Sequence, residues 1–106
     1  SRAPRGSYAA PMTRGQLERR LRSISKQLRS LRDDLQVTEE QLVRLADEAD
    51  DARLRALVSE TPLAEKESRS AGRHAERLRR HRDTVTAKLT ALESEQDDLL
   101  DRLTAS

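Results

Sequence analysis

The chain has 106 residues, 38% of them charged and 34% hydrophobic, with one aromatic residue (Tyr8) and no cysteine. That length accommodates one small domain, and the lack of Phe and Trp for a thick core excludes an ordinary globular enzyme, sandwich or α/β fold. The formal net charge of +2 resides in Arg2 and Arg5, because residues 13–106 hold 19 basic and 19 acidic side chains.

Residues 1–12 read as a flexible basic arm with two prolines, one glycine and no periodicity. Met12 fits a native start, which would make part of the arm vector-derived. Thr13 and Gln16 have the spacing of a capping box, and Met12 and Leu17 that of a hydrophobic staple, so a helix is predicted from about 13 to 58. Its apolar residues follow an unbroken 4-3 repeat: Leu17, Leu21, Ile24, Leu28, Leu31, Leu35, Thr38, Leu42, Leu45, Ala49, Ala52 and Ala56. A repeat sustained this long marks a coiled-coil seam. Residues 59–61 form the predicted turn. Pro62 suits the first position of a second helix capped by Thr61, running from about 62 to 104. Its seam is Ala64, Ser68, Ala71, Ala75, Leu78, Arg82, Val85, Leu89, Leu92, Gln96, Leu99 and Leu103.

Folding the chain about residue 60 pairs seam position i with 120 − i in all twelve layers. Leucine layers then occupy the open end and alanine layers the turn end, where Gly72 beside Ala46 suits a close approach. Charge supports the same register. Residues 14–32 hold seven basic side chains and one acidic, against five acidic and two basic in 88–106. Residues 33–51 reverse the sign, with eight acidic and one basic, against six Arg and two acids in 69–87. The expected flanking pairs are Glu39–Arg79, Asp34–Lys88, Arg53–Glu65 and Arg55–Glu67, and pairs such as Glu18–Arg22, Glu40–Arg44 and Glu76–Arg80 are expected within helices. The fold expected is therefore all-α: an antiparallel two-helix coiled-coil hairpin over 13–106, about 65 Å long. Its single narrow seam implies self-association, as a dimer or higher assembly. The same register also describes an antiparallel dimer of extended chains; Pro62 and the short linker favour the hairpin.

Three groups of residues stand out. Thr38, Arg82 and Gln96 interrupt the seam and read as register-setting, with the Arg82 guanidinium reaching Asp34 or another carboxylate. Leu54, Leu57, Val58 and Leu63 are apolar but lie off the heptad line around Glu60, a candidate protein-contact tip. Arg69, Arg73, Arg77 and Arg80 are candidate nucleic-acid contacts, although the acidic band of the first helix is expected to neutralise much of that patch. His74 and His81, with Glu48 and Gln41 expected across from them, are seven residues apart, too far to chelate one ion. No catalytic, metal or cofactor motif is found, and no small-molecule substrate is expected.

In outline the chain resembles the hairpin arm of Gre-type transcript-cleavage factors, whose tips carry paired acidic residues where this one offers Glu60. In length it resembles helical-hairpin substrates of type VII secretion, without their Trp-x-Gly turn or C-terminal Tyr-x-x-x-Asp/Glu signal. Neither resemblance carries a site residue over. The expected function is a non-catalytic interaction or oligomerisation module for a protein partner or itself. The alternatives are a nucleic-acid- or transcription-associated factor and a small secreted hairpin. No apolar run spans a membrane, so a cytoplasmic location is expected. The 18:3 Arg:Lys ratio suggests a bacterial source.

Overall fold

The computed structural model describes residues 12–105 as two α-helices, α1 (Arg14–Ser59) and α2 (Pro62–Ala105), joined by Glu60 and Thr61. Apart from Met12, the arm expected over residues 1–12 lies outside the described residues. The chain doubles back on itself as a hairpin 69 Å in its longest dimension. Among the described residues, no helix is long and apolar enough to cross a membrane.

The start of α1 follows the local chemistry of its cap. The Thr13 hydroxyl accepts from the Gln16 N–H at 3.2 Å, and the Gln16 side chain accepts from the Thr13 N–H at 2.8 Å. Two backbone donors with no intrahelical partner are thereby satisfied. Met12 packs on the core, as a staple residue does.

The turn is shorter than the three residues expected, because Ser59 remains helical. Glu60 alone reverses the chain, with φ 53° and ψ 33° in the left-handed region. A side-chain-bearing residue there costs about 1–2 kcal/mol. Hydrogen bonds on both sides offset that cost: the Glu60 N–H donates to the Ala56 carbonyl at 3.0 Å, and the Thr61 hydroxyl and carbonyl accept from Ala64 and Glu65 at 3.2 and 3.1 Å.

All twelve seam positions on each helix are buried or half-buried. The largest continuous core lies toward the open end, where Leu17, Ile24, Leu28, Val85, Leu89 and Leu99 cluster and Leu21, Leu31, Leu35, Leu92 and Leu103 pack around them. Nearer the turn, burial passes to Thr38, Leu42, Ala52 and Ala75. Gly72 does not serve the close approach expected of it. It is exposed, and a Cβ added there meets nothing within 4 Å.

Among the described residues, two Arg–Glu ion pairs and one His–carboxylate contact bridge the helices, and none is among the four expected. Arg20 holds Glu95 in a bidentate pair with both contacts at 2.7 Å. Arg32 meets Glu93 at 3.6 Å, and His81 meets Asp34 at 3.0 Å. Residue numbers in these pairs add to 115 on one flank of the seam and 125 on the other, which brackets the register of 120. The expected pairs had the right flanks but the wrong partners. His81 takes Asp34 in place of Lys88, whose charge acts on Asp34 only as an electrostatic pull. Arg79 turns to Glu76 at 3.3 Å and Arg53 to Asp50 at 3.7 Å. Acids one turn away on the same helix lie within easy reach and need no span across the seam. Glu18 is likewise taken by Arg14 at 3.2 Å instead of Arg22, and Glu76–Arg80 forms at 3.7 Å as expected.

Candidate functional site

The register residues form a small polar network where the leucine and alanine halves meet. Thr38 is 2% exposed, and its hydroxyl donates to Asp34 Oδ1 at 3.0 Å. The two Asp34 oxygens lie 3.0 and 3.2 Å from His81 Nε2, so one buried hydroxyl is tied to the facing helix through a shared carboxylate. These bonds, His81 foremost, hold the Asp34 carboxyl below its ordinary pKa. His81 therefore faces Asp34 and not Gln41. Arg82 does not reach Asp34, which is already occupied; it is half-buried and turns to Asp83 at 3.1 Å. Gln96 is half-buried opposite the fully buried Ile24.

At the tip, Ala52, Ala56 and Ala64 take the inward positions, which turns Leu54, Leu57, Val58 and Leu63 outward. Their exposures are 60%, 68%, 84% and 66%. Four large apolar side chains are thus exposed near one left-handed residue, Glu60, at the extremity of the rod. Val37 and Val43 are exposed on α1 as well, and Val43 borders a shallow groove with Leu42, Ala46 and Arg79. Sequence reasoning passed over both valines, although each lies off the seam by the same test that exposed the tip.

On α2, Arg69, Arg73, Arg77 and Arg80 are all exposed. Arg80 is drawn to Glu76, whereas Arg69, Arg73 and Arg77 have no ion-pair partner within 4 Å among the described residues. The expected neutralisation by α1 does not take place through contact, because these three arginines are exposed at positions off the seam.

At the open end the Arg20–Glu95 pair is the strongest polar link. Glu95 sits below its ordinary pKa chiefly through the hydrogen bonds from Arg20, and Arg20 is raised in turn. The fold and its surfaces define a two-helix antiparallel hairpin with an apolar tip and charged outer faces. No protein-family model matches the chain, and no curated protein or solved structure is significantly similar to it.

Proposed function

We propose that the protein is a non-catalytic interaction module, a stiff rod that presents its tip and charged faces to a protein partner or to a second copy of itself. The observation that supports this reading is the exposure of Leu54, Leu57, Val58 and Leu63 on a helix pair whose seam is otherwise buried. Exposed apolar side chains gathered at the end of a charged rod are the part with most to gain from being covered. The test is affinity capture from the native cell with the full chain and with Leu57→Asp. The expected result is a partner lost with Leu57→Asp while helical circular dichroism stays unchanged. Equal capture by both chains would sink the tip as the contact, and loss of helicity would show that Leu57 is structural.

A second reading has one observation of its own: Arg69, Arg73 and Arg77 are exposed, unpaired and spaced a turn apart. Such a row suits the phosphates of a nucleic acid. It predicts salt-sensitive retardation of DNA or RNA that Arg73→Glu/Arg77→Glu abolishes. Absence of retardation at low salt removes it.

A further inference from the structure

The side of α2 that faces away from α1 divides into three blocks. Arg69, Arg73 and Arg77 lie toward the turn, and Asp97, Asp98 and Asp101 toward the open end. All six are exposed and have no ion-pair partner within 4 Å among the described residues; the α2 arginines that do pair are Arg79, Arg80 and Arg82. Between the charged blocks, the outward positions are Arg80, Asp83, Thr84, Ala87, Thr90, Ala91 and Ser94, all exposed; the two charged ones are already paired, Arg80 with Glu76 at 3.7 Å and Asp83 with Arg82 at 3.1 Å. The Thr90 hydroxyl donates to the Thr86 carbonyl at 3.1 Å, so covering it would strand no donor. Like charges stacked along one helix face repel, and none of these six is held in an ion pair among the described residues.

We propose that a second copy of this chain covers this face, α2 against α2 and antiparallel, on a two-fold axis at Ala87. Charge complementarity carries the proposal. Arg73 and Asp101 have residue 87 as their midpoint, and Arg77 and Asp97 have the same one. One two-fold axis therefore brings both pairs together, each twice, with Thr84, Ala87 and Thr90 at its centre, Arg80 opposite Ser94 and Asp83 opposite Ala91. The one like-charged meeting this creates, Glu76 opposite Asp98, is eased because Glu76 already holds Arg79 and Arg80 at 3.3 and 3.7 Å.

The outer face of α1 does not offer the same solution. Its basic block (Arg19, Lys26) and acidic block (Glu40, Asp47) share Asp33 as midpoint, so a two-fold there sets Asp33 against its own copy. Pairing Arg19 with Glu40 and Lys26 with Asp33 moves the axis between residues 29 and 30, where Arg29 faces Ser30 and the two copies of Arg29 lie one residue apart beside the axis.

The α2 dimer goes beyond the tip reading and does not depend on it. Glu60 lies about 40 Å along the helix from Ala87, so the two tips would project from opposite ends, roughly 80 Å apart. The assembly becomes a bivalent rod with an apolar contact at each end.

The absence of cysteine makes a direct test available. Full-length Ala87→Cys, oxidised mildly at low salt, should form a disulfide-linked dimer, since a residue on the axis meets its own copy. Ser23→Cys, on the outer face of α1, should not cross-link under the same conditions. In sedimentation equilibrium the wild-type chain should be a dimer whose Kd rises with salt. Arg73→Glu/Arg77→Glu should raise that Kd about tenfold or more, and adding Asp97→Arg/Asp101→Arg should restore it. Leu57→Asp should leave it unchanged. A wild-type chain that stays monomeric on concentration at low salt overturns the proposal. So does a dimer that Ala87→Cys fails to cross-link, or one that the fourfold reversal fails to restore with helicity intact.

Discussion

The open-end half of the rod and the turn-end half follow one heptad pattern, yet they are held together differently. At the open end the seam is leucine and isoleucine, with Ile24 and Leu28 almost wholly out of solvent, and two Arg–Glu pairs clasp the flanks. At the turn end the seam is largely alanine, Leu54, Leu57, Val58 and Leu63 point outward, and the charges settle with neighbours on their own helix. Each buried leucine or isoleucine contributes about 1.5–3 kcal/mol, and an alanine methyl much less. Stability therefore concentrates at one end, and uncommitted surface at the other. A heptad repeat specifies which face is inward, but the size of the seam residues decides how much that face holds.

The largest effect should come from Ile24→Ala, which deletes the most buried side chain of the leucine half. A loss of about 2–5 kcal/mol is expected in urea or thermal unfolding, enough to compromise a hairpin with a single seam. By comparison, Leu57→Asp at the tip should change stability by about 0.5 kcal/mol or less. Similar losses at the two sites would break the contrast between the halves.

An effect of opposite sign is expected at Gly72. It lies within α2 with open space where a Cβ would be, so Gly72→Ala should raise stability by about 1 kcal/mol through helix propensity alone. A loss of stability would mean that the alanine half packs more tightly around residue 72 than its exposure indicates.

The smallest effect is set by pH. Glu95 and Asp34 both have lowered pKa values in the folded chain, through Arg20 and through His81 with Thr38 respectively. Groups depressed on folding stabilise the native state above their unfolded pKa, and that contribution is lost as pH falls through the folded value. The melting temperature should therefore drop as pH falls below about 5, and Glu95→Gln should flatten the fall. Both partners of the Arg20–Glu95 pair are more than a third exposed, so solvent screening keeps the effect modest. Parallel pH profiles for the two chains would show that Arg20–Glu95 adds nothing to the open end.

Much of this architecture was legible beforehand, and the reasons are local. The capping box needs only Thr13 and Gln16 at the right spacing, and every seam position read from the 4-3 repeat is withdrawn from solvent. The outward placement of the tip residues followed from the same repeat. The ion pairs were not legible. Arg79 could choose Glu39 across the seam or Glu76 one turn back, and periodicity does not rank exposed alternatives of nearly equal energy. The Thr38–Asp34–His81 network was missed for a related reason, since it needs the reach of three side chains across two helices.

The nearly balanced charge, the missing aromatics and the heptads by themselves determined two helices, their inward faces and a register of 120, because hydrophobic burial along a periodic chain admits one consistent pairing. Only the tertiary structure decided that Glu60 alone turns the chain in a left-handed conformation, that Gly72 faces open space, and that Arg69, Arg73 and Arg77 stay unpaired. The physical reason is one of scale. Burying a seam of leucines is worth many kcal/mol and can be read from spacing, whereas turns and surface charges are settled by differences of about 1 kcal/mol that arise only once the helices lie side by side.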